Sequence, residues 1–193
     1  LKVIHLEAGL RTFDQYNPYP EEFNRAAISA LAHLHLCPTM TACRNARHMS
    51  GGKGRILLTG NTVLDKLVDL VPTTNNQVLV TMHRRENHEM IADWFTEISG
   101  LAKDYPELEF VLPIHPNPNV MEHRHLLTDV TVIDPLPYDD CLEMIRTCKL
   151  IITDSGGIQE ESSFLKKKAI VCRKVTERAE GIGTFAFMCG VPS

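Results

Sequence analysis

Apolar positions along this chain follow two alternating rhythms. Short, β-rich runs occupy 2–6, 34–37, 77–82, 108–112, 130–133, 150–153 and 169–172. Between them, apolar residues recur at helical spacing over 21–32, 41–49, 62–70, 90–104, 119–127, 138–148 and 157–165. In 138–148, Cys141, Leu142, Ile145 and Cys148 form a buried stripe. Asp139 and Asp140 open that helix and Lys149 follows it, which suits the helix dipole. Strands apolar on both faces, alternating with helices, predict parallel sheets covered by helices, an α/β fold. The one polar, turn-rich stretch, 71–76, reads as a linker between lobes at 1–70 and 77–193.

Composition narrows the function classes. The 193 residues carry a formal net charge of −4, so no basic face points to nucleic acid. The only short basic run, Lys166-Lys167-Lys168, reads as a solvated helix end. Six cysteines show no CxxC and no framework, as reduced thiols of a cytoplasmic protein would. No apolar run approaches the roughly 20 residues of a membrane span. No cysteine and histidine spacing suggests zinc, and no metal is expected. The chain opens at Leu1 on an apolar run and reads as a piece of a longer product.

Candidate chemistry gathers after the strands. In "TDSGGIQEE", 153–161, an apolar run stops at Asp-Ser-Gly-Gly where a helix begins. Helix N-termini offer unpaired N–H groups and partial positive charge, and glycines let a phosphate approach the backbone. Ser155, Gly156 and Gly157 therefore read as an anion cradle. An acid behind it suits the hydroxyls of a ribose. In "HLEAGLRTFDQYNPYPEEFNR", 5–25, Glu7 follows a strand, and Glu21 and Arg25 stand four apart on one helix face. "TMHRREN", 81–87, sets ionisable residues after an apolar strand, with an arginine suited to phosphate. "LPIHPNPNV" places His115 after another.

Seven stretches in order, "HLEAGLRT", "PYPEEFNR", "LTGNTVLD", "HRREN", "HPNPNV", "TDSGGIQEE" and "TERAEG", resemble the non-hydrolysing UDP-N-acetylglucosamine 2-epimerases. The resemblance implies two Rossmann-like lobes of the B-type glycosyltransferase kind facing a cleft, the first lobe incomplete here. It implies interconversion of UDP-GlcNAc and UDP-ManNAc by elimination and re-addition of UDP through 2-acetamidoglucal, without cofactor. It carries over Glu7, Glu21 and His83 as catalytic groups. Arg25, Ser155, Gly156, Gly157, Glu161 and Arg178 carry over as substrate contacts. Arg84 and His115 match positions that touch a second, activating UDP-GlcNAc. UDP is the expected bound product, and a homodimer the expected assembly. An inactive UDP-sugar-binding remnant and a hydrolysing relative releasing ManNAc are the alternatives. Four departures stand out. The family's opening strand and glycine-rich turn, with an Arg, a Lys and an Asp of its site, are missing. Cys141 stands where an aromatic ring stacks on uracil, Lys166-Lys167-Lys168 replaces Gly-Lys-Pro, and Ala179 follows Arg178 where the family has proline.

Overall fold

The computed structural model describes residues 2–190 and 192. The chain divides into two units: Leu1–Lys66 with Val175–Arg178, and Leu67–Lys174 with Ala179–Ser193.

The first unit holds three parallel strands in the order β1 (Ile4–Leu6), β2 (Leu34–Cys37) and β3 (Arg55–Leu58). Ile4 pairs with Leu34, and Leu34 with Arg55. Helices α1 (Glu21–Leu31) and α2 (Met40–Met49) connect them. Thr39 caps α2 by accepting the Ala42 N–H at 3.1 Å. The core is small: Ala8, Cys37, Ala42 and Ala46, with Cys43 and Ile56 against it. Ile4, Leu6 and Leu58 stay more than half exposed. A parallel sheet is ordinarily covered on both faces, and these apolar side chains are left uncovered within the unit. β3 is a strand that the hydrophobic pattern missed. Its four residues are exposed at both ends and follow the glycine-rich 51–54 turn, which hides its periodicity.

His5 and His35 are buried in this unit with ring centroids 6.1 Å apart. Burial pushes both imidazoles below their ordinary value, and His35, Arg25 and Arg11 push His5 further. Both are therefore neutral at pH 7 when folded, while the unfolded chain takes up protons near pH 6.5. Their stabilising contribution is complete above that pH and is lost as pH falls below it. The denaturation midpoint should hold from pH 8 to about 7 and then decline towards about pH 5. His35→Phe should flatten the decline; an unaltered slope would remove His35 from the account.

The second unit is a six-stranded, wholly parallel sheet in the order β6-β5-β4-β7-β8-β9. Its strands are β4 (Gln77–Thr81), β5 (Glu109–Pro113), β6 (Thr131–Ile133), β7 (Leu150–Thr153), β8 (Ala169–Val171) and β9 (Ala186–Met188). Helix α3 (Ile91–Asp104) buries Ile91, Trp94, Phe95, Ile98 and Ala102, spaced by three and four residues. They meet Val78, Val80, Phe110, Leu112 and Ile152 of the sheet in the main core. Three further helices follow: α4 (Pro118–Met121), α5 (Tyr138–Thr147) and α6 (Gly156–Phe164). The predicted helix 119–127 is instead α4 and a 3-10 turn, Arg124–Leu126. There Ser99 Oγ donates to the Leu126 carbonyl at 2.9 Å and accepts from Thr128 N–H at 3.0 Å. The predicted helix 62–70 is likewise a 3-10 stretch, Thr62–Leu67. β9, three residues after a glycine-containing loop, was also missed.

Residues 71–76 run along the end of α5 within the second unit. Thr73 and Asn75 N–H groups donate to the Arg146 and Thr147 carbonyls at 3.1 and 2.9 Å. Lys167 pins this segment: its buried amine donates to the Cys148 carbonyl at 2.7 Å and to that of Thr73. The basic run is thus not a solvated end at its centre. Lys166 turns the chain there with a left-handed φ of 55°, a conformation that glycine adopts without strain.

Candidate functional site

In the second unit, strand order reverses between β4 and β7. Sequence runs outward through β5 and β6 on one side and through β8 and β9 on the other. Doubly wound sheets bind ligands at the carboxyl ends of such neighbouring strands. Two segments leave the sheet there, His83–Asn87 after β4 and Asp154–Gly157 after β7. Thr81 and Thr153, paired in register, join them with a 2.6 Å hydroxyl–hydroxyl bond.

Asp154 organises this point. It is fully buried, and its Oδ2 accepts from His83 N–H at 2.9 Å, Arg84 N–H at 2.7 Å and Asn87 Nδ2 at 3.1 Å. Asn87 also donates to the Cys172 carbonyl at 3.0 Å, tying in the end of β8. Arg173 holds Glu86 at 2.7 Å from the same side. The result seats the backbone of His83 and Arg84. His83 Nδ1 lies 3.5 Å from Asp154 Oδ1, and its ring stacks on His115 at 5.5 Å and 16°. Burial pushes the His83 imidazole below its ordinary value; Asp154 opposes this, while Arg84, His115 and His88 add to it. A neutral imidazole can accept a proton at one ring nitrogen and donate a hydrogen bond from the other. Sequence reading assigned no role to Asp154 or Asn87. Their signal was an aspartate ending an apolar strand and an asparagine among charged residues.

Ser155 caps α6, its Oγ accepting from Ile158 N–H at 3.5 Å. Gly156 and Gly157 form the first turn. A Cβ on Gly157 would meet only Ser155 Oγ, at 3.9 Å, an ordinary contact, and the residue has no positive φ. Neither backbone conformation nor internal packing therefore demands glycine at 157. What glycine provides is open access to the helix N-terminus, whose N–H groups and dipole favour an anion. One turn on, Glu161 is buried and accepts from the Tyr138 hydroxyl at 2.9 Å. Burial raises its carboxyl above the ordinary value. Beside these lies a pocket of about 150 Å³ between His83, His115, Pro135, Leu136, Cys141 and Ile158. Sites for drug-sized ligands run to about 300–1,000 Å³, so this pocket has room for only one end of such a molecule. Burial pushes the Cys141 thiol up to about 11, leaving it a neutral wall of the pocket.

The remaining candidates belong to the first unit. Glu7 follows β1, exposed, with a left-handed φ of 54°. Two residues on, a Cβ at Gly9 would lie 1.9 Å from the Ala42 carbonyl oxygen, so only glycine fits this turn. Glu21 is exposed on α1, whereas its neighbour Glu22 is fully buried. Glu22 accepts from Arg11 Nε at 2.6 Å and from Phe13 N–H at 2.9 Å. Arg25, expected within reach of Glu21, lies instead 4.0 Å from Glu22 and 3.5 Å from Glu177, which also holds Arg178. Two adjacent glutamates on a helix do not announce which one turns inward. Here the Arg11–Phe13 turn selects Glu22.

A doubly wound parallel sheet with a glycine-opened helix at its switch point defines a Rossmann-like lobe. Comparison with known proteins agrees. An Escherichia coli heptosyltransferase with ADP shares the fold at a TM-score of 0.53 and 15% identity, over 88% of this chain and 63% of that one. The two lobes are of the B-type glycosyltransferase kind. The chain belongs to the UDP-N-acetylglucosamine 2-epimerase family, whose family model matches residues 1–192. The Yersinia pestis UDP-N-acetylglucosamine 2-epimerase is 39% identical over 94% of this chain and 55% of its own length. The crystal structure of the Neisseria meningitidis enzyme bound to UDP-GlcNAc superposes with a TM-score of 0.82 at 37% identity, over 93% of this chain and 55% of that one. The S. aureus MnaA–UDP co-structure matches with a TM-score of 0.83 at 34% identity, over 99% and 56%. The chain thus spans about 55% of the length of the curated relatives it matches. Among the described residues no group of three His, Cys, Asp or Glu is placed to hold a metal, and no helix is long and apolar enough to cross a membrane.

Proposed function

We propose that the protein containing this chain is a UDP-N-acetylglucosamine 2-epimerase. The second unit supplies the UDP site and the first supplies proton-transfer carboxylates. The observation that carries this reading is the Asp154 knot. It holds His83 and Arg84 beside the open N-terminus of α6, at the one point of the sheet where strand order reverses. The diphosphate lies on the Ser155, Gly156 and Gly157 end of α6. The ribose hydroxyls reach Glu161, which exchanges its bond from Tyr138 for theirs. The base enters the pocket that Cys141 lines.

Chemistry then asks for two things. The C2 hydrogen of the sugar is weakly acidic, so a placed carboxylate must remove it. UDP leaving from C1 develops charge that fixed donors must meet. Neutral His83 and the α6 N–H groups serve the leaving diphosphate. Glu7 and Glu21 carry protons at C2, with Arg25 and Arg178 in the same unit as cationic contacts for the substrate. Elimination gives 2-acetamidoglucal and UDP. Protonation of the opposite face of C2 with re-addition of UDP gives UDP-ManNAc. Arg84 and His115 are offered to a second, activating nucleotide sugar.

Gly157→Leu tests the cradle without disturbing the fold, because the chain leaves room for a side chain there. UDP affinity measured by calorimetry on the complete protein should fall about 100-fold, about 2.7 kcal/mol, with an unchanged circular dichroism spectrum. Unchanged affinity would remove α6 from the site.

A further inference from the structure

Two thiols meet at the ends of neighbouring strands β8 and β9. Val171 and Met188 are partners in the parallel register, so Cys172 and Cys189 follow side by side. Adjacent strands lie about 4.8 Å apart, inside the roughly 4.4–6.8 Å range of Cα separations that a disulfide spans. The two sulfurs are 3.6 Å apart, in hydrogen-bond contact. Cys172 is buried and Cys189 exposed. Both line an apolar pocket of about 230 Å³ with Trp94, Ile98 and Ile170.

We propose that Cys172 and Cys189 are an oxidation site that closes to a reversible intramolecular disulfide on exposure to a peroxide. The exposed Cys189 reacts first. Its contact with Cys172 holds its thiol below the ordinary cysteine value, and the same contact, followed by burial, pushes Cys172 up. The Cys189 thiolate attacks one peroxide oxygen and breaks the O–O bond, giving a sulfenic acid and, after protonation, water. The Cys172 sulfur then attacks the sulfenic sulfur, forming the S–S bond and expelling hydroxide, which takes up the Cys172 proton as water. Overall two thiols lose two electrons and two protons, and hydrogen peroxide becomes two waters. An exposed thiol with a resolving partner is the arrangement of reversible sensors. The Cys172 carbonyl accepts from Asn87, and Arg173 holds Glu86. The bridge would therefore form one step from the residues that seat His83.

The complete protein, treated with hydrogen peroxide and then alkylated, should lose two reactive thiols relative to the reduced protein and regain them with dithiothreitol. Peptide mapping should join the segment holding Cys172 to that holding Cys189. Cys189→Ser, which keeps every backbone bond, should lose this linkage. Linkage mapped to Cys37 and Cys43 instead, or Cys189 driven to sulfinic acid with Cys172 still reduced, would overturn the proposal.

Discussion

Asp154→Ala should lower the stability of the second unit by about 3 kcal/mol. The carboxylate is fully buried and accepts three N–H bonds, two from backbone and one from Asn87. Removing it takes the acceptor from the half-buried His83 and Arg84 amides and one of the acceptors from buried Asn87, which keeps the Cys172 carbonyl. Each group left unsatisfied costs about 1–3 kcal/mol. Relaxation of the 83–87 segment recovers part of that sum, which sets the net figure. The loss should appear as a shifted denaturant midpoint and as faster hydrogen exchange at the His83 and Arg84 amides. A shift below about 0.5 kcal/mol, the range of ordinary surface substitutions, would mean that these bonds do not hold the loop.

Glu7→Gln should leave the fold and the binding of UDP-GlcNAc intact and remove proton transfer. Glu7 is exposed and already adopts a left-handed φ of 54°, a strain that glutamine shares. Its amide keeps the size and hydrogen-bonding capacity of the carboxylate and loses the base. General acid–base groups contribute about 10²–10⁴-fold, so turnover by the complete protein should fall by that factor with little change in KM. Residual activity within tenfold of the parent would move the base elsewhere, Glu21 being the next carboxylate to test.

The second unit was the more legible of the two. Its strands are apolar on both faces, and β7 lies at 150–153, where the hydrophobic run placed it. The glycine-opened helix was visible because two glycines at a strand end serve no regular element. Hidden were features made by distant residues. Asp154 gains its meaning only when β4 and β7 become neighbours, a contact between residues about seventy positions apart. Glu22 is buried by the Arg11–Phe13 turn and not by any pattern within α1. Lys167 looked solvated because its partners, the Cys148 and Thr73 carbonyls, are far from it along the chain. β3 and β9 were short and flanked by glycines, too brief for a period to show. The seven family stretches added what periodicity could not, since most of them straddle the ends of strands and the starts of helices, where no single period runs.

The central claim concerns the hydrogen at C2. Epimerisation removes it from one face and delivers a solvent proton to the other, whereas a protein that only binds the nucleotide sugar leaves it in place. The decisive measurement is proton NMR of UDP-GlcNAc incubated in heavy water with the complete protein, read at C2. The account predicts that the C2 signal disappears as deuterium enters and that UDP-ManNAc accumulates, both abolished by Glu7→Gln. Tight binding of UDP-GlcNAc by the complete protein, with the C2 hydrogen fully retained, would contradict it.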